Sequence, residues 1–430
     1  MGTEAIIGMV AFIALLAAGV PIFVALIGVG AALLIGEGGS IAGIGQSVLD
    51  NFNSATLMAV PFFVLAAGFI QGGGVARALM DMAYAWIGRL PGGIPLAGLS
   101  ATGIFAAING SSVATAMAMG SVLVPEMQQR GYSRQFSLGL TAAAGTLGIL
   151  IPPSMPLVIY GLLVEASIPR LFLAGVVPGL IQMALFAIII VFTARRHGGR
   201  GDPFPGWRKF SRANVNALPA LLVPLIVLGG IYGGFVTVTE AAALSAAVAL
   251  LVSMLVYRAL KLRDIPAILA DSVSRTAAIL VIVAGAVLLS HWITRSGLPA
   301  DLVRWVSGFN LAPWQFLLVV SGILLVLGMF LEAFAIILIT VPLTLPILLS
   351  LSIDLVHYAI ILTIAIEIAM LTPPVGLNLF VMAEIAKAPV EEVIRGVMPF
   401  LCSMVLLLGV IIFCPGLTTW LPDLILGAPK

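Results

Sequence analysis

Gly145-Thr-Leu-Gly-Ile-Leu-Ile-Pro-Pro-Ser154 interrupts a long apolar run of this 430-residue chain, and Ile368-Ala-Met-Leu-Thr-Pro-Pro-Val-Gly-Leu-Asn378 interrupts another. A membrane-spanning helix is expected in each place, and each is broken by a proline pair, Pro152–Pro153 and Pro373–Pro374. Proline removes a backbone donor and collides with the preceding turn. In hydrocarbon the freed backbone groups must find partners. Two broken helices at corresponding positions predict a binding site between two repeats. The pairs lie 221 residues apart, and the same offset relates Pro125 to Pro346, Gly175 to Gly396 and Pro178 to Pro399. Such an ungapped series is a repeat signal, and it decides the fold before any single helix does.

The composition agrees. Hydrophobic residues make up 61% and charged residues 9%, against about 25% charged in soluble domains. The chain therefore reads as an all-α polytopic membrane protein held in a lipid bilayer. A net charge of +2, with no basic segment apart from the membrane loops, argues against a nucleic-acid partner. Cys402 and Cys414 have neither metal-ligand nor redox spacing and read as core thiols.

In chain order, 4–35 is too long for a removable signal and reads as one spanning helix. A polar loop over 36–53 holds Glu37 and Asp50. A second span over 56–70 ends at Gly72-Gly-Gly74, and 75–90 reads as an interfacial amphipathic helix with Arg77, Asp81 and Arg89. The apolar stretch 91–126 is interrupted at Asn109-Gly-Ser-Ser112, which leaves halves shorter than the roughly 20 residues of a span and predicts a re-entrant hairpin. The first broken helix covers 132–165, and a span covers 168–194. The basic loop 195–212 carries Arg195, Arg196, Arg200, Arg208, Lys209 and Arg212. Spans follow over 218–235, 240–257 and 275–296, then a connector over 299–309. The second hairpin covers 312–351 with its tip at Gly328-Met-Phe-Leu-Glu332, and the second broken helix covers 354–386. The last apolar run ends near Leu426. The domains are N-terminal scaffold helices (1–74), repeat one (75–197), the basic loop with central scaffold helices (198–296) and repeat two (297–430).

Five crossings separate the starts of the repeats, an odd number, so the second repeat is expected to be inverted. The positive-inside rule puts 195–212 and 258–263 in the cytoplasm. The N-terminus is then inside, the hairpins enter from opposite faces, and nine crossings leave the C-terminus outside.

The charge map limits the chemistry. No Lys or Arg occurs over 91–129, 135–169 or 305–386, which contain the hairpins and broken helices. An anionic substrate there must be held by half-helix N-termini, hydroxyls, amides or bound cations. Unwound carbonyls suit Na⁺, a hard cation. Asn109, Ser111 and Ser112 beside Gly110 are either ligands or helix caps; Thr115, a turn further, reads as packing. Glu332 and Glu367 stand in apolar surroundings, where a carboxylate needs a partner. Each either bonds exposed backbone N–H groups at a tip or break, or organises a cation or carries protons. The 221-residue offset maps them onto Ser111 and Thr146. At the second break, Gly376 gives the chain room to turn, and Asn378 touches a ligand or caps the half-helix. His197, His291 and His357 have no partner at catalytic spacing.

Four stretches resemble a known family: the 145–154 run quoted first, the 109–120 run that starts at Asn109-Gly-Ser-Ser, the 165–175 run that starts at Glu165-Ala-Ser-Ile-Pro, and the 367–380 run from Glu367 to Phe380 across the second break. Over nearly its whole length the chain looks like the large membrane subunit of TRAP (tripartite ATP-independent periplasmic) transporters. The resemblance implies an elevator-type importer of the ion-transporter superfamily in a bacterial inner membrane, driven by two or more Na⁺ ions. It implies two partners, a small four-helix membrane subunit and a periplasmic substrate-binding protein, and an organic-acid substrate such as a C4-dicarboxylate or sialic acid. One sodium site would use Asn109, Gly110, Ser111 and Ser112 with Gly145 and Thr146. The other would use Glu332 with the stretch from Thr372 to Gly376. Substrate would meet Asn109, Ser112, Pro153, Ser154, Pro374 and Asn378. Because the chain begins directly with this pattern, the small subunit is expected to be separate. A stand-alone Na⁺/dicarboxylate carrier of related fold is the rival reading. An intramembrane hydrolase using Ser111 or Ser112 lacks a positioned base.

Overall fold

The computed structural model describes residues 3–36, 38, 41–54, 56–196 and 201–428; Glu37, His197 and Arg200 lie outside them. The first apolar run is two helices, not one. α1 (Thr3–Ala17) and α2 (Ile22–Gly36) part where Gly19 takes φ +78° and Pro21 interrupts the backbone donors. The expected polar loop is mostly helix, α3 (Ile41–Phe52), whose Val48 packs against the buried cluster of Leu34, Leu288, Trp292, Ile293 and Leu298. α4 (Ala59–Gly72) and α5 (Val75–Ile87) meet at 69° across Gly72–Gly74. Gly74 has φ +75°, and Gly73 lies so close to the Ser253 hydroxyl that a Cβ would strike it.

The first hairpin is α6 (Gly93–Asn109) and α7 (Ser112–Gln129), joined through Gly110 at φ +64°. The first broken helix is α8 (Arg134–Leu150) and α9 (Met155–Val164), and α10 (Ile168–Arg196) follows. The basic loop is shorter than expected: Arg208, Lys209 and Arg212 lie on α11 (Trp207–Pro224). α11 continues through a π turn, Leu225–Gly229, into α12 (Gly230–Tyr232). α13 (Val238–Leu251) starts at a capping box in which Thr237 N–H donates to Glu240 (2.8 Å) and Glu240 N–H donates to Thr237 Oγ1 (3.3 Å). α14 (Ile265–Arg295) starts well before 275, with Pro266 in its first turn, where a missing N–H costs no helical bond.

The second half follows with α15 (Leu298–Ser307), the hairpin α16 (Pro313–Gly328) and α17 (Ala333–Ser350), and the broken helix α18 (Leu355–Ala369) and α19 (Leu377–Ala386). α20 (Val390–Phe413) and α21 (Gly416–Leu426) end the chain, separated at Cys414–Pro415. Cys402 and Cys414 are exposed, not core thiols. The buried stripe of α20 is Val393, Val397, Phe400, Met404, Leu407 and Ile411, and Cys402 lies off it.

The offset of 221 carries the bounds of α6, α7, α8 and α9 to within two residues of those of α16, α17, α18 and α19. The packing is reciprocal. α6 lies on α8 as α16 lies on α18, and α7 lies on α19 as α17 lies on α9. Each hairpin thus packs its first arm on its own repeat, and its second arm reaches the opposite repeat as well. α8 is buried on every side from Ser137 to Leu150, at the centre of the molecule.

Among the described residues, seven helices are long and apolar enough to cross a membrane, or eight if the bent α4–α5 pair is one span. The nine expected crossings include α1–α2 and α18–α19, whose pieces of 10 to 15 residues are each shorter than a span.

Candidate functional site

The first hairpin tip is seated against the first break. A Cβ on Gly110 would lie 2.8 Å from the Pro153 carbonyl oxygen and 3.5 Å from Met155 N. One turn back, a Cβ on Gly148 would lie 2.6 Å from the Ser111 carbonyl oxygen and 2.8 Å from Thr115 Oγ1, and one on Gly145 would lie 2.7 Å from the Ala116 Cβ. The glycines of the quoted stretch let α8 accept the hairpin at backbone contact, as small residues do between membrane helices. Asn109, Gly110, Ser111, Ser112, Gly145 and Pro153 are therefore brought together.

Their polar groups are largely engaged. Ser111 caps α7, its Oγ accepting from Ala114 N–H at 3.5 Å. Ser154 caps α9 and donates to the Ile149 carbonyl at 2.5 Å, so its hydroxyl closes the break. Asn109 Nδ2 donates to Thr115 Oγ1 at 3.2 Å, which gives Thr115 a positioning part beyond packing. Asn109 Oδ1 is buried without a partner.

Asn378 reaches the same place from the second break. Its Nδ2 donates to Ser112 Oγ at 2.7 Å and to the Ala142 carbonyl at 3.3 Å, across 266 residues of sequence to Ser112. Asn378 Oδ1 is also buried and unpartnered. Two orphan amide oxygens, from opposite repeats, stand beside breaks that carry no Lys or Arg. Buried acceptors without donors are costly, and a cation or a donor-bearing ligand would satisfy them.

The second tip is organised differently. Gly328, at the end of α16, packs on Ala369, at the end of α18. Glu332 is the N-cap residue of α17, exposed, and its side chain makes no cap bond. Thr372 Oγ1 donates to the Ile368 carbonyl at 2.7 Å, and no hydrogen bond links Glu332 to Thr372 or Gly376 among the described residues. Gly376 takes φ +51°, and a Cβ there would lie 2.7 Å from Leu379 Cδ1 and 3.0 Å from the Thr372 carbonyl, so it does give the chain room to turn. Pro374 is exposed at the break. Neither Glu332 nor Glu367 bonds a backbone N–H: Glu332 makes no cap bond at its own helix start, and Glu367 lies in the last turn of α18, where the free backbone groups are carbonyls and not N–H donors.

Thr146 is turned away from the tip. Its Oγ1 donates to Ala143 O at 2.8 Å and faces Gln182 Nε2 of α10 at 3.4 Å. Gln182 was not singled out by the spacing argument. It is the only amide in α10, and a lone amide in an apolar helix was the available signal.

On another face, Arg130 in the loop after α7 engages the Tyr84 hydroxyl and Asp202, beside a cavity of about 490 Å³ that Tyr132 and Ser133 also line. The Tyr84 hydroxyl first, and Arg130 after it, hold the Asp202 carboxyl below the usual carboxylate range.

The family model described as "Tripartite ATP-independent periplasmic transporter, DctM component" matches residues 9–417. The chain belongs to the DctM family of TRAP transporters. It is 40% identical to a C4-dicarboxylate TRAP transporter large permease protein of Pseudomonas aeruginosa, over 89% of this chain and 90% of that one. It is 34% identical to the sialic acid TRAP transporter large permease protein of Vibrio cholerae, over 97% and 98%. It is 38% identical to an isethionate TRAP transporter permease of Oleidesulfovibrio alaskensis named DctMQ, over 94% of this chain but 64% of that longer protein. The solved structure of the Alcanivorax borkumensis YdaH transporter shares the fold, with a TM-score of 0.64 at 16% identity over 89% and 90% of the chains. This TRAP large permease is thus a multi-pass protein of the inner membrane.

Proposed function

We propose that this TRAP permease imports an organic acid together with Na⁺, by elevator movement of the two hairpins and broken helices against a scaffold that includes α4 and α11 to α14. The observation that carries this reading is the pair of buried, unpartnered oxygens Asn109 Oδ1 and Asn378 Oδ1, where hairpin one meets both breaks and no Lys or Arg is present. Oxygen acceptors without fixed positive charge suit a hard cation, and the bound cation in turn offers charge to a carboxylate. Relatives named for C4-dicarboxylates at 38–40% identity favour a small dicarboxylate as the acid.

Partners follow from the same site. Without arginine pairing, carboxylate recognition here is weak, so capture of dilute substrate falls to a periplasmic binding protein, with a separate small membrane subunit widening the scaffold. In proteoliposomes, this chain alone is expected to show little uptake at micromolar substrate, and adding both partners restores it. Replacing Na⁺ by choline, at fixed pH and voltage, is expected to lower uptake at least tenfold. Robust uptake by this chain alone favours the stand-alone carrier, and equal uptake in choline ends the sodium reading.

A further inference from the structure

Away from the hairpin tips, where α8, α10 and α18 meet, Glu367 is completely buried and neither carboxyl oxygen has a hydrogen-bond partner. The Gln182 carboxamide faces it, outside strict hydrogen-bond geometry. Gln182 is itself fully buried, and its Oε1 is unpartnered while its Nε2 points at Thr146 Oγ1. Three acceptor oxygens therefore lie at one enclosed place where the Gln182 amino group, shared with Thr146 Oγ1, is the donor that faces them, and no ion pair among the described residues includes Glu367. An isolated carboxylate in such surroundings is strongly disfavoured.

Corresponding residues of two repeats share a neighbour only near the axis that relates them. Thr146 and Glu367 correspond by the 221-residue offset, and Gln182 lies against both. The second repeat thus supplies a negative charge at a central position where the first supplies a hydroxyl.

We propose that Glu367, Gln182 and Thr146 form a Na⁺ site of their own, separate from the hairpin tips and built where the two broken helices meet. All the donors are oxygens, which suits a hard cation. The single carboxylate balances one monovalent charge. A proton on Glu367 could be donated to Gln182 Oε1 but would remove the charge, whereas a bound monovalent cation can be met by all three oxygens with the carboxylate ionised. The site ties α8 to α18, so its occupancy fixes the two broken helices together. The inference takes the identity of the ion from the sodium reading.

The test uses the purified full chain in detergent and reads thermal stability against NaCl, with choline chloride holding ionic strength and pH constant. Glu367→Gln keeps the shape and removes the charge. Its Na⁺ midpoint is expected to rise at least tenfold, and that of Gln182→Met several-fold, with both variants folded in choline. Asn109→Ala, at the tip, is expected to retain the Glu367-dependent response. A wild-type Na⁺ response in folded Glu367→Gln overturns the site while leaving the sodium reading intact. Absence of any Na⁺ response in wild type, in stability and in uptake, removes both. If Glu367→Gln is more stable than wild type at every Na⁺ concentration, and wild type gains stability in choline as pH falls, the carboxyl is held as an acid and the site is not a metal site. Should Glu367→Gln not fold, Gln182→Met decides alone, and an unchanged midpoint there rejects the proposal.

Discussion

Gly396→Leu is expected to leave little folded protein, whereas Gly409→Leu on the same helix is expected to fold like wild type. A Cβ at Gly396 falls on the Gln135 carbonyl and lies 3.1 Å from the Gly139 Cα, and a Cβ at Gly139 falls on the Gly396 backbone in return. Both partners are backbone atoms of α8 and α20, so no side chain can rotate away and the helices must separate. Overpacking costs about 1–3 kcal/mol where side chains can yield; here even Gly396→Ala is expected to cost on the order of 3 kcal/mol. Gly175, the same position of the first repeat, sits on the Leu150 carbonyl at the other end of α8. The two corresponding glycines thus let α10 and α20 close on the ends of the central helix, the role of small residues where membrane helices touch. A Cβ at Gly409 meets nothing within 4 Å. Thermal unfolding of the detergent-solubilised variants measures the difference, and an unchanged midpoint for Gly396→Ala would contradict the close crossing of α8 and α20.

Asn378→Leu is expected to cut uptake by the assembled transporter about 10- to 100-fold without unfolding it. The carboxamide donates to Ser112 Oγ and Ala142 O, and its Oδ1 is buried without a partner. Leucine is of similar volume but leaves the buried Ser112 Oγ without its donor and removes the second bond to the Ala142 carbonyl, which lies mid-helix in α8. Each such loss costs about 1–3 kcal/mol, and 1.4 kcal/mol corresponds to a factor of about ten. Ser112→Ala removes one of these acceptors, so the double variant is expected to be hardly worse than Asn378→Leu alone. Contacting residues couple in this way and independent ones do not. Initial uptake rates of both single variants and the double variant at saturating Na⁺ complete the cycle; additive losses would show that the Asn378–Ser112 bond does not serve transport.

The broken helices, the hairpins and the repeat offset were legible in the sequence because proline pairs, short apolar halves and ungapped spacing act locally. A Pro-Pro pair breaks a helix whatever surrounds it, and 15 apolar residues do not cross a bilayer in any context. The same local reasoning failed at Gly19–Pro21, which splits the first run, and over 41–52, where a segment that looks polar is a helix with Val48 packed against the buried cluster that includes Trp292 and Leu288. It also missed that Trp207 and Ile265 start helices before their apolar runs, since polar residues extend a helix at the membrane edge without changing hydropathy.

What the sequence could not decide is which faces meet. Gly145 and Thr146 are neighbours in the chain, yet one turn of α8 sends Gly145 to hairpin one and Thr146 to Gln182. Adjacent residues of a helix point about 100° apart, so grouping them by proximity in sequence joined two different places. Asn378 was a candidate by its position at the break, but its bond to Ser112 exists only because α19 packs across the repeat boundary on α7. Gln182 and Glu367 carry no signal of each other along the chain. Local chemistry wrote the breaks, and long-range helix packing decided which oxygens lie together.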